Sequence, residues 1–227
     1  MKTKLIVLLP FLLLSSVIWG QGCFLGVGAT SINNTINTSG NAIVDQVTIR
    51  EFNQLVNIYG LRPNFIFFRE QGSPNAYAMP RITNPNQPHG TILLGLNLIQ
   101  SECSQSASGT CSSIPIILAH EFGHIIDFNM NLPLNGKYRE LFADYIAGSY
   151  LFHRAHVFGW LNINEVSQSF YNKGNYDFNN PDFHGTPQER VAALSAGYYL
   201  SQQYNQAGQH LTLQNLVNSA MNELRKF

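Results

Sequence analysis

Apolar positions recur with two different periods along this chain, and the change of period divides it. Residues 42–59 carry the three-to-four-residue spacing of an amphipathic helix. Strand-like alternation follows, in a strand over 65–69 and hairpin-like strands near 76–79 and 91–94. Beyond residue 111 the helical period returns and persists. It predicts helices over 112–130, from Glu140 through Phe152, over 164–171, over 186–203 and over 211–225. No internal repeat or linker interrupts this order. The pattern predicts an α+β domain, mostly helical, with a small sheet packed on the 112–130 helix.

That helix is the most apolar of the set, with Ile114, Ile116, Ile117, Leu118, Phe122, Ile125, Ile126 and Phe128, yet it contains His120-Glu121-Phe122-Gly123-His124. Residues four apart lie one above the other on a helix face, so both imidazoles point the same way. Two histidines and an acid in an apolar core need a common cause, because unpaired buried polar groups are expensive. A shared metal ion supplies one. Catalytic zinc takes three protein ligands and keeps a fourth position for water. His120 and His124 are then two ligands, and Glu121 is left free to act as general base.

The third ligand is expected from Glu140-Leu141-Phe142-Ala143-Asp144, where Glu140 and Asp144 share one helix face. A turn at Asn135-Gly136 lets this helix fold back antiparallel and bring Glu140 to the metal. Asp144 fits as the carboxylate that accepts the other N–H of a ligand histidine and fixes its tautomer. In Thr186-Pro187-Gln188-Glu189-Arg190, the cap residue, the proline after it and the glutamate form a capping box. His184 just precedes this cap. It either faces the metal cleft and stabilises an oxyanion or hydrogen-bonds Asp144. Arg190 is expected to pair with an acid inside the domain. Tyr77, Tyr138 and Tyr150 are candidate phenolic donors, with packing the simpler role for each.

HEFGH followed by ELFAD resembles the gluzincin zinc metallopeptidases, in which the glutamate of an ExxAD-type motif is the third zinc ligand. The segments at 73–80 and 90–96 are similar to the strands before the active-site helix in heat-shock-type and CAAX-type peptidases. Residues 183–190 resemble the segment closing the domain in bacterial neutral zinc metallopeptidases. Spanning roughly residues 64 to 200, this resemblance implies a zincin-like fold, one Zn2+ per chain held by His120, His124 and Glu140, and hydrolysis of peptide bonds. It lacks the membrane helices of the heat-shock and CAAX types.

The amino terminus bears on the compartment. Lys2 and Lys4 precede an apolar run from Leu5 to Ile18 and then small residues, the layout of a secretory signal peptide over 1–22. The run is too short for a membrane span, which needs roughly 20 apolar residues, and no other segment approaches that. Cys23 is a lipidation candidate and would give the mature chain a lipid anchor. Residues 23–41 read as an irregular N-terminal segment, with glycosylation sequons beginning at Asn33 and Asn37, and 42–227 as the metallopeptidase domain. Cys103 and Cys111 bracket a polar loop and are candidates for a disulfide, in keeping with export. The expected location is the periplasm, the cell surface or the medium.

With 13 basic and 13 acidic residues and no charge run, nothing points to nucleic acid as a partner. The partner expected is a peptide or protein in extended form, added as a strand to the sheet edge near Tyr77. Two other functions fit the same residues: a non-catalytic exported zinc-binding protein or lipoprotein, and a zinc amidase acting on cell-wall peptide.

Overall fold

The computed structural model describes residues 34–106, 111–159, 161–179 and 183–227. The expected signal peptide at 1–22, the lipidation candidate Cys23 and the sequon at Asn33 lie outside the described residues. The domain is α+β and mostly helical. Its chain order is β1 (Thr35–Ile36), α1 (Ala42–Tyr59), β2 (Asn64–Phe68), β3 (Ala76–Met79), β4 (Thr91–Gly95), α2 (Leu96–Gln105), α3 (Ser113–Met130), α4 (Gly136–Phe158), α5 (Ile163–Lys173), α6 (Pro187–Gln206) and α7 (Leu213–Glu223), with a closing 3-10 turn at Leu224–Lys226.

Local signals account for several boundaries. Asn41 caps α1, its side-chain oxygen accepting from the backbone N–H groups of Ile43 and Val44, and Gly60 closes the helix in the left-handed conformation. Thr186 and Glu189 form both halves of the capping box on α6, with Pro187 in its first turn. Two elements lie where a loop or irregular chain was expected. β1 falls within the 23–41 segment and pairs antiparallel with Phe67 and Phe68 of β2. α2 begins at a glycine cap with no side-chain bond, and its first N–H groups are satisfied instead by Glu70, whose carboxylate accepts from Asn97 N at 2.9 Å and Leu98 N at 2.8 Å.

The sheet runs β1-β2-β4-β3. Its central pair, β2 and β4, is parallel, and β3 returns antiparallel against β4 as an edge strand. Alternation splits its side chains: Phe67, Ala76, Ala78, Ile92 and Leu94 join the helical core, whereas Phe68, Met79 and Leu93 cluster on the other face. α3 lies against β3 and β4 and is enclosed by α1, α4 and α5. Every residue of α3 from Ser113 to Asp127 is buried, as in a helix hydrophobic on all sides. Ile116, Ile117, Leu118, Phe122, Ile125 and Ile126 are each 3 % exposed or less. Each contributes about 1.5–3 kcal/mol on burial, and together they offset the burial of the polar motif they flank. Phe122 turns away from the histidines and packs on Phe52 and Tyr59 of α1, ring centroids 6.3 and 5.7 Å away.

Cys103 of α2 and Cys111 are joined by a disulfide, their Cα atoms 4.5 Å apart. Glu165 of α5 ties down the chain on both sides of Cys111, accepting from Ser112 N at 2.8 Å and from the Ser106 hydroxyl at 2.9 Å. No helix among the described residues is long and apolar enough to cross a membrane.

Candidate metal centre

On α3, His120 and His124 stand one turn apart with ring centroids 4.8 Å from each other and planes nearly perpendicular. Their Nε2 atoms converge to 3.2 Å. Gly123, between them, is where α4 approaches: a Cβ there would sit 2.7 Å from the Cα of Ala143. The glycine and alanine of the two motifs are thus in contact, which brings Glu140, one turn before Ala143, over the histidines. Its Oε2 lies 3.4 Å from His120 Nε2 and its Oε1 3.4 Å from His124 Nε2.

The three side chains offer donor atoms that all lie within 4.8 Å of one another, and all three residues are buried. Ligand atoms around a tetrahedral ion at about 2.0–2.1 Å lie about 3.3 Å apart, close to the 3.2 Å between the two nitrogens and the 3.4 Å from each nitrogen to its nearer Glu140 oxygen. Glu140 Oε2 is buried, faced only at longer range by His120 Nε2 at 3.4 Å and Arg190 Nη1 at 3.6 Å, which leaves it available to a cation. These residues fit a metal ion.

Their protonation fits as well. Burial pushes His124 down to about 3, keeping its imidazole neutral. Burial opposes the charge on Glu140, but His124, His120 and Arg190 outweigh it and hold the carboxyl below the usual range. Asp144 is likewise depressed, burial being overcome by Arg190 and by the hydrogen bond to His120. Neutral imidazoles with an ionised carboxylate are the forms a metal binds. All three shifts act alike on stability. The unfolded chain takes up protons that the fold refuses, so stability present at neutral pH is lost as pH falls below the ordinary histidine value of 6.5 and then through the carboxylate range. The melting temperature of the metal-free protein is expected to drop steadily from about pH 7 to about pH 4. A flat or rising midpoint on acidification would contradict the buried neutral histidine.

Around the ligands, His120 Nδ1 donates to Asp144 Oδ1 at 2.8 Å. Arg190 of α6 grips the same carboxylate from the other side, Nε to Oδ2 at 2.6 Å and Nη2 to Oδ1 at 2.8 Å, with Nη1 3.6 Å from Glu140 Oε2. His184, 7 % exposed, sits with Nδ1 3.7 Å from Glu140 Oε1. Asp144 is engaged by His120 and Arg190. Glu121 is fully buried on α3 between the two histidines in sequence. From α5, the Phe170 ring packs against His120 at 6.0 Å between centroids.

The three candidate tyrosines each contact other groups. The Tyr150 hydroxyl donates to Glu51 Oε2 at 2.7 Å, in a buried network with Arg154. Tyr77 packs on Phe68 across the sheet, and Tyr138 is an exposed neighbour of Lys137. The helical pattern gave no sign of Phe170, nor of which acid Arg190 would hold. Comparison with family models, curated proteins and solved structures finds no match to this chain.

Proposed function

We propose that this chain is a zinc-dependent endopeptidase of gluzincin type, with Glu121 as general base. The observation that carries the proposal is the convergence of the His120, His124 and Glu140 donor atoms within 4.8 Å, with both histidines on the helix that also bears Glu121 and Glu140 reaching them from α4. A His2Glu set is a catalytic zinc set that leaves a coordination position open. Zinc bound there supplies a Lewis acid that polarises the scissile carbonyl and lowers the pKa of water towards roughly 7.

The chain's own residues do the rest. Asp144 keeps the His120 proton on Nδ1, so that Nε2 presents its lone pair to the ion. Glu121 takes the proton of the attacking water as the new C–O bond forms, then passes it to the departing amine nitrogen as the C–N bond breaks. His184 stabilises the negative charge that collects on the carbonyl oxygen. The edge strand β3 beside α3 offers backbone groups along which an extended peptide can add as a further strand. Export through the 1–22 segment agrees with the Cys103–Cys111 disulfide, since disulfides persist in oxidising compartments.

The test is mass-spectrometric profiling of a diverse peptide mixture with zinc-loaded protein. Cuts abolished by a chelator and restored by zinc support the proposal, and no cuts from protein of measured full zinc content speak against it. His184→Ala is expected to keep zinc and to lose about a hundredfold in turnover, the effect of removing one oxyanion donor. Loss of metal with unchanged turnover per bound zinc would mean that His184 serves the ligands and not the oxyanion.

A further inference from the structure

We infer that Arg190 is a positioning residue of the metal centre, locking Asp144 against His120 so that metal affinity depends on the docking of α6 against α4. The inference rests on the metal-centre reading but is independent of peptide hydrolysis.

The geometry runs as a chain of contacts from the ligand outward. His120 Nδ1 is tied to Asp144 Oδ1, and the two Asp144 oxygens each accept an N–H of the Arg190 guanidinium, at 2.6 and 2.8 Å. A carboxylate held by histidine alone can rotate about its C–C bond and offer either oxygen. The two-point fork prevents that rotation, because both oxygens are engaged in one plane. Oδ1 then stays aimed at the ligand histidine, which fixes the tautomer and the ring. A lysine at this position carries the same charge without the planar fork.

Burial makes the arrangement demanding. Asp144 is 0 % and Arg190 1 % exposed, so neither charge is tolerated without the other. The arginine is delivered from α6, 46 residues along the chain from its partner. What lets it arrive is the close crossing of α6 and α4: a Cβ on Gly197 would lie 1.9 Å from Tyr145 O, and one on Gly148 would lie 1.8 Å from Leu194 O. The start of α6 is held by the capping box and by Lys137 of α4, which donates to Glu189 at 2.8 Å. Withdrawal of α6 would therefore carry the fork away from Asp144 while leaving His120, His124 and Glu140 on their own helices.

The test is the zinc dissociation constant of the full chain at fixed pH, by chelator competition, for the parent, Arg190→Lys, Asp144→Asn and the double variant. Arg190→Lys is expected to bind zinc about tenfold to a hundredfold more weakly, the usual effect of losing a partner that orients a ligand. The visible spectrum of its Co2+ form should shift relative to the parent, a change that a general loss of stability would not produce well below the melting temperature. Because Arg190 acts through Asp144, the double variant should bind no more weakly than Asp144→Asn alone. Parent-like affinity in Arg190→Lys, or losses that multiply in the double variant, would overturn the inference. Should Arg190→Lys not fold, NMR of the zinc-loaded parent decides: an Arg190 Nε–H protected from exchange upholds the fork, and one exchanging like a surface arginine overturns it. A parent that takes up neither zinc nor cobalt would overturn the metal reading and the inference together.

Discussion

Replacing Glu121 with glutamine is expected to leave the metal bound and to lower peptide turnover by about a hundredfold to ten-thousandfold, the range for a lost general base. The substitution keeps the shape and volume of a fully buried side chain and removes its ability to accept a proton. None of the three converging donor atoms belongs to Glu121, so zinc content should match the parent. The fold should also tolerate the change, since the surrounding α3 residues are unaltered and glutamine has nearly the same shape. Metal analysis together with kcat and KM on a substrate found by profiling checks the expectation. The drop should fall on kcat, because proton transfer belongs to the chemical step and not to binding. A variant that cleaves as fast as the parent would show that the base has been misassigned. A variant that loses zinc would point to Glu121 as a contributor to the ligand set.

Gly197→Ala and Gly148→Ala are expected to be the most damaging of the conservative helix substitutions. Alanine normally favours a helix over glycine by about 1 kcal/mol, so intrinsic propensity argues for stabilisation at both sites. Packing overrides it. The new methyl groups would fall 1.9 Å from Tyr145 O and 1.8 Å from Leu194 O, backbone atoms that cannot swing aside, so α4 and α6 must move apart. Overpacking of this kind costs about 1–3 kcal/mol or more, which for a domain of this size lowers the melting temperature by about 2–4 °C per kcal/mol. Gly72→Ala is the control, since no heavy atom lies within 4 Å of a Cβ there. Calorimetry should show a clear drop for Gly197→Ala and almost none for Gly72→Ala. Zinc affinity should fall with the first and not with the second, because separating these helices also withdraws Arg190 from Asp144.

These glycines illustrate where the chain could be read and where it could not. The i, i+4 spacing of His120 and His124 fixes their common face by helix geometry alone, and the helices that hold them and Glu140 follow from apolar period. The Asp144 hydrogen bond to His120 was also legible, given the antiparallel return of α4. His184 was legible only as a neighbour of the site, because a single histidine before a cap carries no directional information. Arg190 announced a charge that needed a partner, yet the sequence does not say which of the chain's 13 acidic residues supplies it.

Both ends of α1 and the start of α6 were determined by the sequence itself, since Asn41, Gly60, Thr186 and Glu189 act within a turn of the residues they cap. So were the two-histidine face and the antiparallel pairing of β3 with β4, which depend on short-range periodicity. Only the tertiary structure decided that α2 is a helix, because its first N–H groups are satisfied by Glu70 from beyond the sheet. Tertiary contact likewise set β1 on Phe67 and Phe68, made β2 and β4 parallel neighbours with β3 at the edge, and assigned Arg190 to Asp144. The physical reason is range. Caps and periods are written in hydrogen bonds and burial over a few residues, whereas a partner 46 residues away depends on how closely two helices can approach, and that was settled at Gly148 and Gly197.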